Sequence, residues 1–339
     1  MRILFVGNFH EKQHGAYFYV MSRKLANGFI RNGHQVYQFS DRDIARASSP
    51  IHSRNLGKGA ANKSLIRHCT NYLPELIVLS FADIIAPKTL AAIRDMLPDT
   101  PIVNSFIDAM EGERNEGRIR SIAPYVSAHF VTGKGELFDR LVKEGMKLYY
   151  VPNAVDSSVE TLRQFEKKST PCDVFFSVGS EKGDRERCRQ ALELAEKLPE
   201  LAFSYHGFAG KPPIWGMEYY EGLSQSTIGL NFSRNPSLPL YSSDRIAQYM
   251  GNGLLSCIHR RFQLEKLFGE ERAIFYENSD ELAEKIAFFV KNPAERQKAA
   301  RAAYEFVHEH HNGQKIAQFI EEISFSKPLS QNYLWQGIK

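Results

Sequence analysis

Short apolar runs that close on glycine or a polar loop recur along this chain, each followed by a stretch with helical spacing. Arg2-Ile3-Leu4-Phe5-Val6-Gly7 is the first. It is continuously apolar up to its glycine, the mark of a strand buried on both faces of a parallel sheet. Asn8–Gly15 reads as a polar loop. Ala16–Asn32 predicts a helix with apolar residues at Phe18, Met21, Leu25, Phe29 and Ile30. Gly33 ends it and His34–Phe39 alternates as a second strand, completing a βαβ unit of the right-handed kind. Residues 44–64 are polar and rich in Gly, Ser and Asn, which predicts a mobile loop. Beyond it the pattern gives helix Leu65–Tyr72, strand Leu76–Ser80, helix Pro87–Leu97 with proline in its first turn, and strand Pro101–Phe106. Glu111–Ile119 reads as a loop or short helix, Ser127–Thr132 as a strand, Lys134–Glu144 as a helix and Lys147–Val151 as a strand.

A second array opens at Cys172–Gly179, again apolar and closing on glycine. Helix Arg185–Leu198, strand Ala202–His206 and helix Tyr219–Ser226 follow, then strand Gly229–Phe232, a Pro-rich loop and a helix entered through Ser242-Ser243. Strand Ala273–Tyr276 precedes helices Asp280–Val290 and Pro293–His310, with Ser279 expected as the N-cap of the former. The fold class is therefore α/β, with two Rossmann-like, doubly wound domains. We place the first at 1–156, a charged connection up to Pro171, the second at 172–311, and a C-terminal helix and tail at 312–339. The carboxyl edges of the two sheets, facing across a cleft, are the natural place for a ligand.

Composition narrows the class. A 339-residue chain with 43% hydrophobic and 24% charged residues is folded and large enough for two domains. No apolar run reaches the ~20 residues that span a bilayer, and the N-terminus reads as a strand rather than a signal peptide. Four scattered cysteines without a C-x-x-C pair fit reduced thiols in the cytoplasm. Residues 1–156 carry about 20 Lys and Arg against 15 Asp and Glu, and the remainder is near neutral. That surplus reads first as an ordinary solvated surface, and second as suited to an anionic acceptor or peripheral contact with an acidic membrane surface. It is scattered and without a nucleic-acid-binding signature, so no nucleic-acid partner is expected.

The stretch richest in chemistry is Gly229–Gly253. A strand–loop–helix unit presents free N–H groups and the positive end of a helix dipole to an anion. Tyr241, Ser242 and Ser243 stand at the helix entrance, and Arg245 adds a guanidinium suited to phosphate. Taken alone, the serines read rather as an N-cap and Arg245 as a solvated helix residue. Arg245, Gln248 and Tyr249 are spaced to share one helix face. Ser180, Lys182 and Arg185 follow the first strand of the second array and are further phosphate candidates, and His206 ends its next strand. In the first domain Gly15 lets a backbone approach a ligand closely, with His14 beside it. There is no G-x-G-x-x-G, which argues against a dinucleotide dehydrogenase. Asp108, at the carboxyl end of a strand, is our first choice for a general base, with Glu111 and His14 as substitutes. Asp41-Arg42-Asp43 has D-x-D spacing, read here as a solvated loop rather than a metal site. His308, His310 and His311 lie at a helix end, where cations suit the dipole. No metal and no cofactor are expected.

These residues in this order resemble a glycosyltransferase of the GT-B fold, of the family 4 type and its CgeB-like relatives. The resemblance rests on Met1–Val6 with the Gly15 loop and Gly33-His34-Gln35-Val36, on Tyr150-Val151-Pro152-Asn153-Ala154-Val155-Asp156, on Phe175–Gly179, on Ser243–Gly253 with Leu254-Leu255, and on Tyr276–Leu282. It covers roughly residues 1–310. It implies a nucleotide-sugar donor on the second domain, a saccharide or lipid-linked acceptor on the first, and a final helix that crosses back to the first domain. It implies a cytoplasmic enzyme of bacterial surface polysaccharide synthesis. The resemblance also favours the phosphate-binding reading of Ser242, Ser243 and Arg245. Gln248 stands where such enzymes place a ribose-binding glutamate, which points to one alternative, a non-catalytic sugar-nucleotide binding or partner protein; a second alternative is a GT-B nucleotide-sugar epimerase, which works without an acceptor.

Overall fold

The computed structural model describes residues 1–233 and 238–338. It divides into two compact units, Met1–Ala154 with Gly313–Gly337, and Val155–Asn312 with the extreme C-terminus. Part of the Pro-rich loop, residues 234–237, lies outside the described residues.

In the first unit the chain runs β1 (Arg2–Gly7), α1 (Met21–Arg31), β2 (Gln35–Ser40), α2 (Asp41–Ala47), α3 (Arg54–Tyr72), β3 (Leu76–Ser80), α4 (Pro87–Met96), β4 (Ile102–Phe106), α5 (Glu113–Ile122), β5 (Ala128–Val131), α6 (Glu136–Lys143) and β6 (Leu148–Tyr150). All six strands pair in parallel, in the order β2-β1-β3-β4-β5-β6. The apolar run Ile3–Val6 is fully buried, and so are Leu25 and Phe29 on the inward stripe of α1. Each such side chain contributes roughly 1.5–3 kcal/mol.

The second unit runs β7 (Val174–Ser177), α7 (Arg185–Lys197), β8 (Phe203–His206), α8 (Gly216–Ser224), β9 (Ile228–Leu230), α9 (Asp244–Gly251), β10 (Leu255–His259), α10 (Glu265–Phe268), β11 (Ile274–Tyr276), α11 (Ser279–Lys291) and α12 (Pro293–His310). Its parallel sheet has the order β11-β10-β9-β7-β8. Residues 155–171 pack onto this unit: Asp156, Glu160 and Phe165 are buried, and the Gln164 amide donates to the carbonyls of Ser224 and Ser226 at 2.8 and 2.7 Å. The last helix, α13 (Gly313–Ser324), belongs to the first unit.

Three local expectations are corrected. Residues 44–64 are not one long loop: they hold the end of α2, a short turn at 48–53 and the first half of α3. Gly57 is there for close helix packing, since a Cβ on it would stand 1.7 Å from the Ala45 carbonyl oxygen. The first helix begins at Met21 rather than Ala16, because His10, His14 and Gly15 all adopt left-handed backbone and keep residues 11–19 in tight turns. The N-cap of α11 is Asn278, whose side chain accepts from Asp280 N and Glu281 N, not Ser279.

Helices α1 and α13 meet backbone to backbone. A Cβ on Gly28 would lie 2.0 Å from the Gly313 carbonyl oxygen, an overlap no side-chain rotation relieves. Gly28→Ala is expected to destabilise the first unit by about 3 kcal/mol, the upper part of the overpacking range. A thermal midpoint equal to wild type would refute this contact.

Candidate functional site

The second sheet has a topological switch point. From β7 the chain goes outward to β8, then crosses to β9 on the other side of β7, so the carboxyl ends of β7 and β9 flank a crevice. Arg245, in the first turn of α9, sits there. Its Nη1 donates to the Phe232 carbonyl at 3.0 Å and its Nη2 to the Ser177 carbonyl at 3.3 Å. The guanidinium also lies 5.3 Å from the centre of the Phe176 ring. Arg245 is thus a tie between the ends of two strands rather than a solvated helix residue.

A second cation converges on the same place. Arg187 is buried, donates from Nη1 to the same Phe232 carbonyl at 3.2 Å, and pairs with Asp184. The two guanidinium groups share one carbonyl oxygen, and the buried Asp184 carboxylate balances the charge of Arg187. The sequence does not single out Arg187 among the charges of Arg185–Arg189. The inward period of Cys188, Ala191 and Leu194, all buried, is the signal that locates it.

The helix entrance is held by Ser243. Its Oγ accepts from Ile246 N at 3.4 Å and donates to Asn231 Oδ1 at 2.8 Å, so it caps α9 and ties it to the end of β9. Ser242 is buried and Tyr241 half-buried just before it. Gln248 is buried with its amide engaged at both ends: Tyr219 Oη donates to Oε1 at 2.7 Å, and Nε2 donates to Asp244 Oδ2 at 2.7 Å. Tyr249 points into the core, its ring lying where a Cβ on Gly229 would be 2.4 Å away. Burial pushes its phenol up to about 12. The shared face of Arg245, Gln248 and Tyr249 therefore resolves into one residue at the crevice and two packed inward.

Beside this crevice the second unit holds a cavity of about 720 Å³ at the carboxyl ends of β9, β10 and β11. Arg185, Arg187, Asn231, Phe232, His259 and Arg261 are among its walls. Arg185 is the one candidate named from sequence that lines it; Asn231 and Phe232 join it to Ser243 and Arg245. Ser180 and Lys182 are exposed on the turn after β7. His206, half-buried at the end of β8, contacts Ser204 Oγ at 3.0 Å, and its imidazole is held below its ordinary value by burial and by Lys211.

In the first unit Asp108 and Glu111 line a separate cavity of about 670 Å³ beyond the ends of β3 and β4. Burial raises the Asp108 carboxyl above its ordinary value, against the pull of Arg118, Arg42 and Arg114. His14 and Gly15 are exposed on the turn after β1 and are not among the residues lining that cavity. Asp41 and Asp43 do not form a solvated loop: both are buried in the first turn of α2. His308 Nε2 is 2.9 Å from the Gly251 carbonyl, His310 pairs with Glu309 at 3.7 Å, and His311 is buried, its imidazole pulled down to about 3 by burial. Among the described residues no three His, Cys, Asp or Glu side chains converge to hold a metal, and no helix is long and apolar enough to cross a membrane.

Residues 185–322 match the model of a family described as glycosyl transferase-like, a span that includes Arg187, Ser243, Arg245 and Gln248. A search of curated proteins by sequence finds no match. Solved structures share the fold over nearly the whole chain. Sucrose-phosphate synthase from Thermosynechococcus elongatus superposes with a TM-score of 0.65 at 11% identity, covering 96% of this chain and 98% of that one. HepE from Anabaena, solved in complex with UDP, gives 0.58 at 14% identity, covering 96% and 100%. UDP-GlcNAc 2-epimerase from Neisseria meningitidis, bound to UDP-GlcNAc, gives 0.53 at 12% identity, covering 96% and 100%. At such identities the likeness establishes the fold, which is GT-B, and the family match supports glycosyl transfer.

Proposed function

We propose that this chain is a nucleotide-sugar-dependent glycosyltransferase that moves a sugar to a saccharide or lipid-linked acceptor in the cytoplasm, in bacterial surface polysaccharide synthesis. The observation that carries the reading is the guanidinium of Arg245, with Arg187 beside it, at the switch point of the sheet and within the matched span. The Arg245 guanidinium has donors beyond those given to backbone carbonyls, and the N-terminus of α9 adds its dipole. A diphosphate set there meets the Arg245 guanidinium and a helix end, with the Arg187–Asp184 ion pair beside them. In the transfer itself the acceptor oxygen bonds to the anomeric carbon as the bond to the diphosphate breaks. The nucleoside diphosphate leaves with the electron pair, and the hydroxyl proton passes to Asp108. Gln248, already bonded to Tyr219 and Asp244, holds a ribose hydroxyl only through the remaining N–H or lone pair of its amide.

Thermal-shift titration with UDP, GDP, dTDP and CMP tests the donor site directly. Arg245→Ala is expected to lose affinity for the stabilising nucleotide by about 1.5–3 kcal/mol, the range for a hydrogen bond to a charged group. Unchanged affinity in a folded variant removes Arg245 from the donor site. Nucleotide binding without hydrolysis or transfer would identify a binding protein instead, and a converted nucleotide sugar formed without acceptor an epimerase.

A further inference from the structure

The cavity beyond β3 and β4 is unusual in its charges. Arg54, Lys58, Arg114 and Arg118 line it against Asp83, Asp108 and Glu111. Asp83 is already matched, accepting from Arg42 Nε at 2.8 Å with Arg54 Nη1 at 3.7 Å. Setting Asp83 against Arg42 leaves four lining cations facing two carboxyl groups.

Arg118 is the informative one. Its guanidinium lies 4.6 Å from the centre of the Phe81 ring and 5.6 Å from that of Phe106. Arg42 covers Phe81 as well, at 5.0 Å. The rings hold the guanidinium in place through its face and leave its N–H edge unused. Among the described residues that edge donates no hydrogen bond and forms no ion pair. Arg114 stands one turn earlier on α5, at i, i+4 spacing, so the two reach the same side. A half-buried guanidinium with its donors unspent is costly unless an acceptor meets it. The Asp108 carboxyl, in the same cavity, likewise accepts no hydrogen bond from a described residue.

We infer that this cavity selects an acceptor bearing an oxyanion, a carboxylate or a phosphate ester, which Arg118 and Arg114 hold while Asp108 meets the reacting hydroxyl. The inference rests on the glycosyltransferase reading and adds the acceptor's chemical class. The planar fork of Arg118 fits either oxyanion in bidentate fashion, and Arg114 supplies a second charge. A neutral saccharide makes the Asp108 contact and leaves both guanidinium groups without a partner. Recognition of this kind discriminates strongly, because the unmet polar groups penalise the wrong ligand.

The test is calorimetric titration of the full chain, with and without saturating UDP, using glucuronate, glucose 6-phosphate, methyl glucoside and inorganic phosphate. One of the two acidic sugars is expected to bind at least about tenfold tighter than methyl glucoside, in either condition. Preference between them separates a uronic acid acceptor from a phosphorylated one. Arg118→Gln is expected to weaken that binding about tenfold or more, and Arg114→Gln, at an exposed position that leaves the fold intact, several-fold. Equal affinity for acidic and neutral sugars overturns the inference, as do two folded variants that bind like wild type. Displacement of the acidic sugar by UDP would move the anion to the donor site and also overturn it. Inorganic phosphate bound as tightly as the sugars would mark a free-ion site and remove the acceptor assignment. Nucleotide affinity measured on the same protein reports on the donor site alone, so failure of the glycosyltransferase reading shows there and not in the sugar titration.

Discussion

Asp108→Asn is expected to lower turnover by about 10²–10⁴-fold, the range for loss of a positioned general base, with nucleotide affinity unchanged. The substitution keeps the size of the side chain and removes its ability to take a proton. Asp108 follows β4 by two residues, at a sheet's carboxyl edge, and lines a cavity with Arg114 and Arg118. Its carboxyl is raised by burial, with the three nearby arginines opposing. A raised value makes the carboxylate a stronger base once ionised, and it also sets the pH below which the base is lost. Wild-type activity should therefore rise with pH through an acid limb above the ordinary carboxylate range, and Asp108→Asn should lack that limb. A loss smaller than tenfold with the limb intact would place the base elsewhere, with Glu111 the next carboxyl in the cavity. Retention of anomeric configuration in the product, read by NMR, would show that no such base is required.

The sheets were readable because buried parallel strands advertise themselves: Ile3–Val6, Ile77–Leu79 and Val174–Phe176 are apolar without interruption, and all are buried. Boundaries of the helices α7, α11 and α12 fell within two residues of the pattern, because Pro293 and the acidic first turns mark where they start. Helix α3 was hidden because glycine has two uses. In Gly57 the missing Cβ admits the Ala45 carbonyl, and sequence alone cannot tell that from a flexible linker. The site was legible in part for a related reason. Ser243 and Arg245 announce themselves by their place at a helix start, whereas Arg187 and Arg118 sit in charged helices where every turn offers an arginine. What separates Arg118 from Arg120 is environment: Arg120 is tied to Glu116 and Glu144 at 2.7 and 2.6 Å, while Arg118 rests on aromatic rings. Such distinctions arise from contacts between distant segments, and spacing along one helix does not encode them.

The D-x-D segment makes the same point and yields a second large effect. Its two carboxyl groups, two residues apart, have opposite surroundings. Asp43 accepts from Ser40 Oγ at 2.5 Å and from Glu11 N at 2.8 Å, and Arg46 lies 3.4 Å away, so it fastens the turn after β1 to α2. Asp41 is fully buried, accepts from Arg42 N at 2.7 Å through Oδ1, and has no hydrogen bond to a described residue at Oδ2. Burial pushes its carboxyl up from 3.8 to about 7; the Arg42 N–H and the Arg42 charge oppose the change, Asp83 adds to it, and Arg118 opposes it. A carboxyl raised on folding holds a proton that the unfolded chain has released. The stabilisation from that bound proton is complete below about pH 4 and is lost as pH rises through about 7, on the order of 4 kcal/mol over the interval. Asp41→Asn mimics the protonated side chain and removes this slope. Thermal midpoints of wild type and Asp41→Asn, measured from pH 4 to 8, should run close together at the acid end and separate toward neutrality, with the variant gaining on wild type. Parallel curves would mean that Asp41 ionises alike in folded and unfolded chains. Separation would show that this aspartate is mostly neutral at mildly acidic pH, which makes it a poor cation ligand there and leaves Arg118 one fewer negative neighbour.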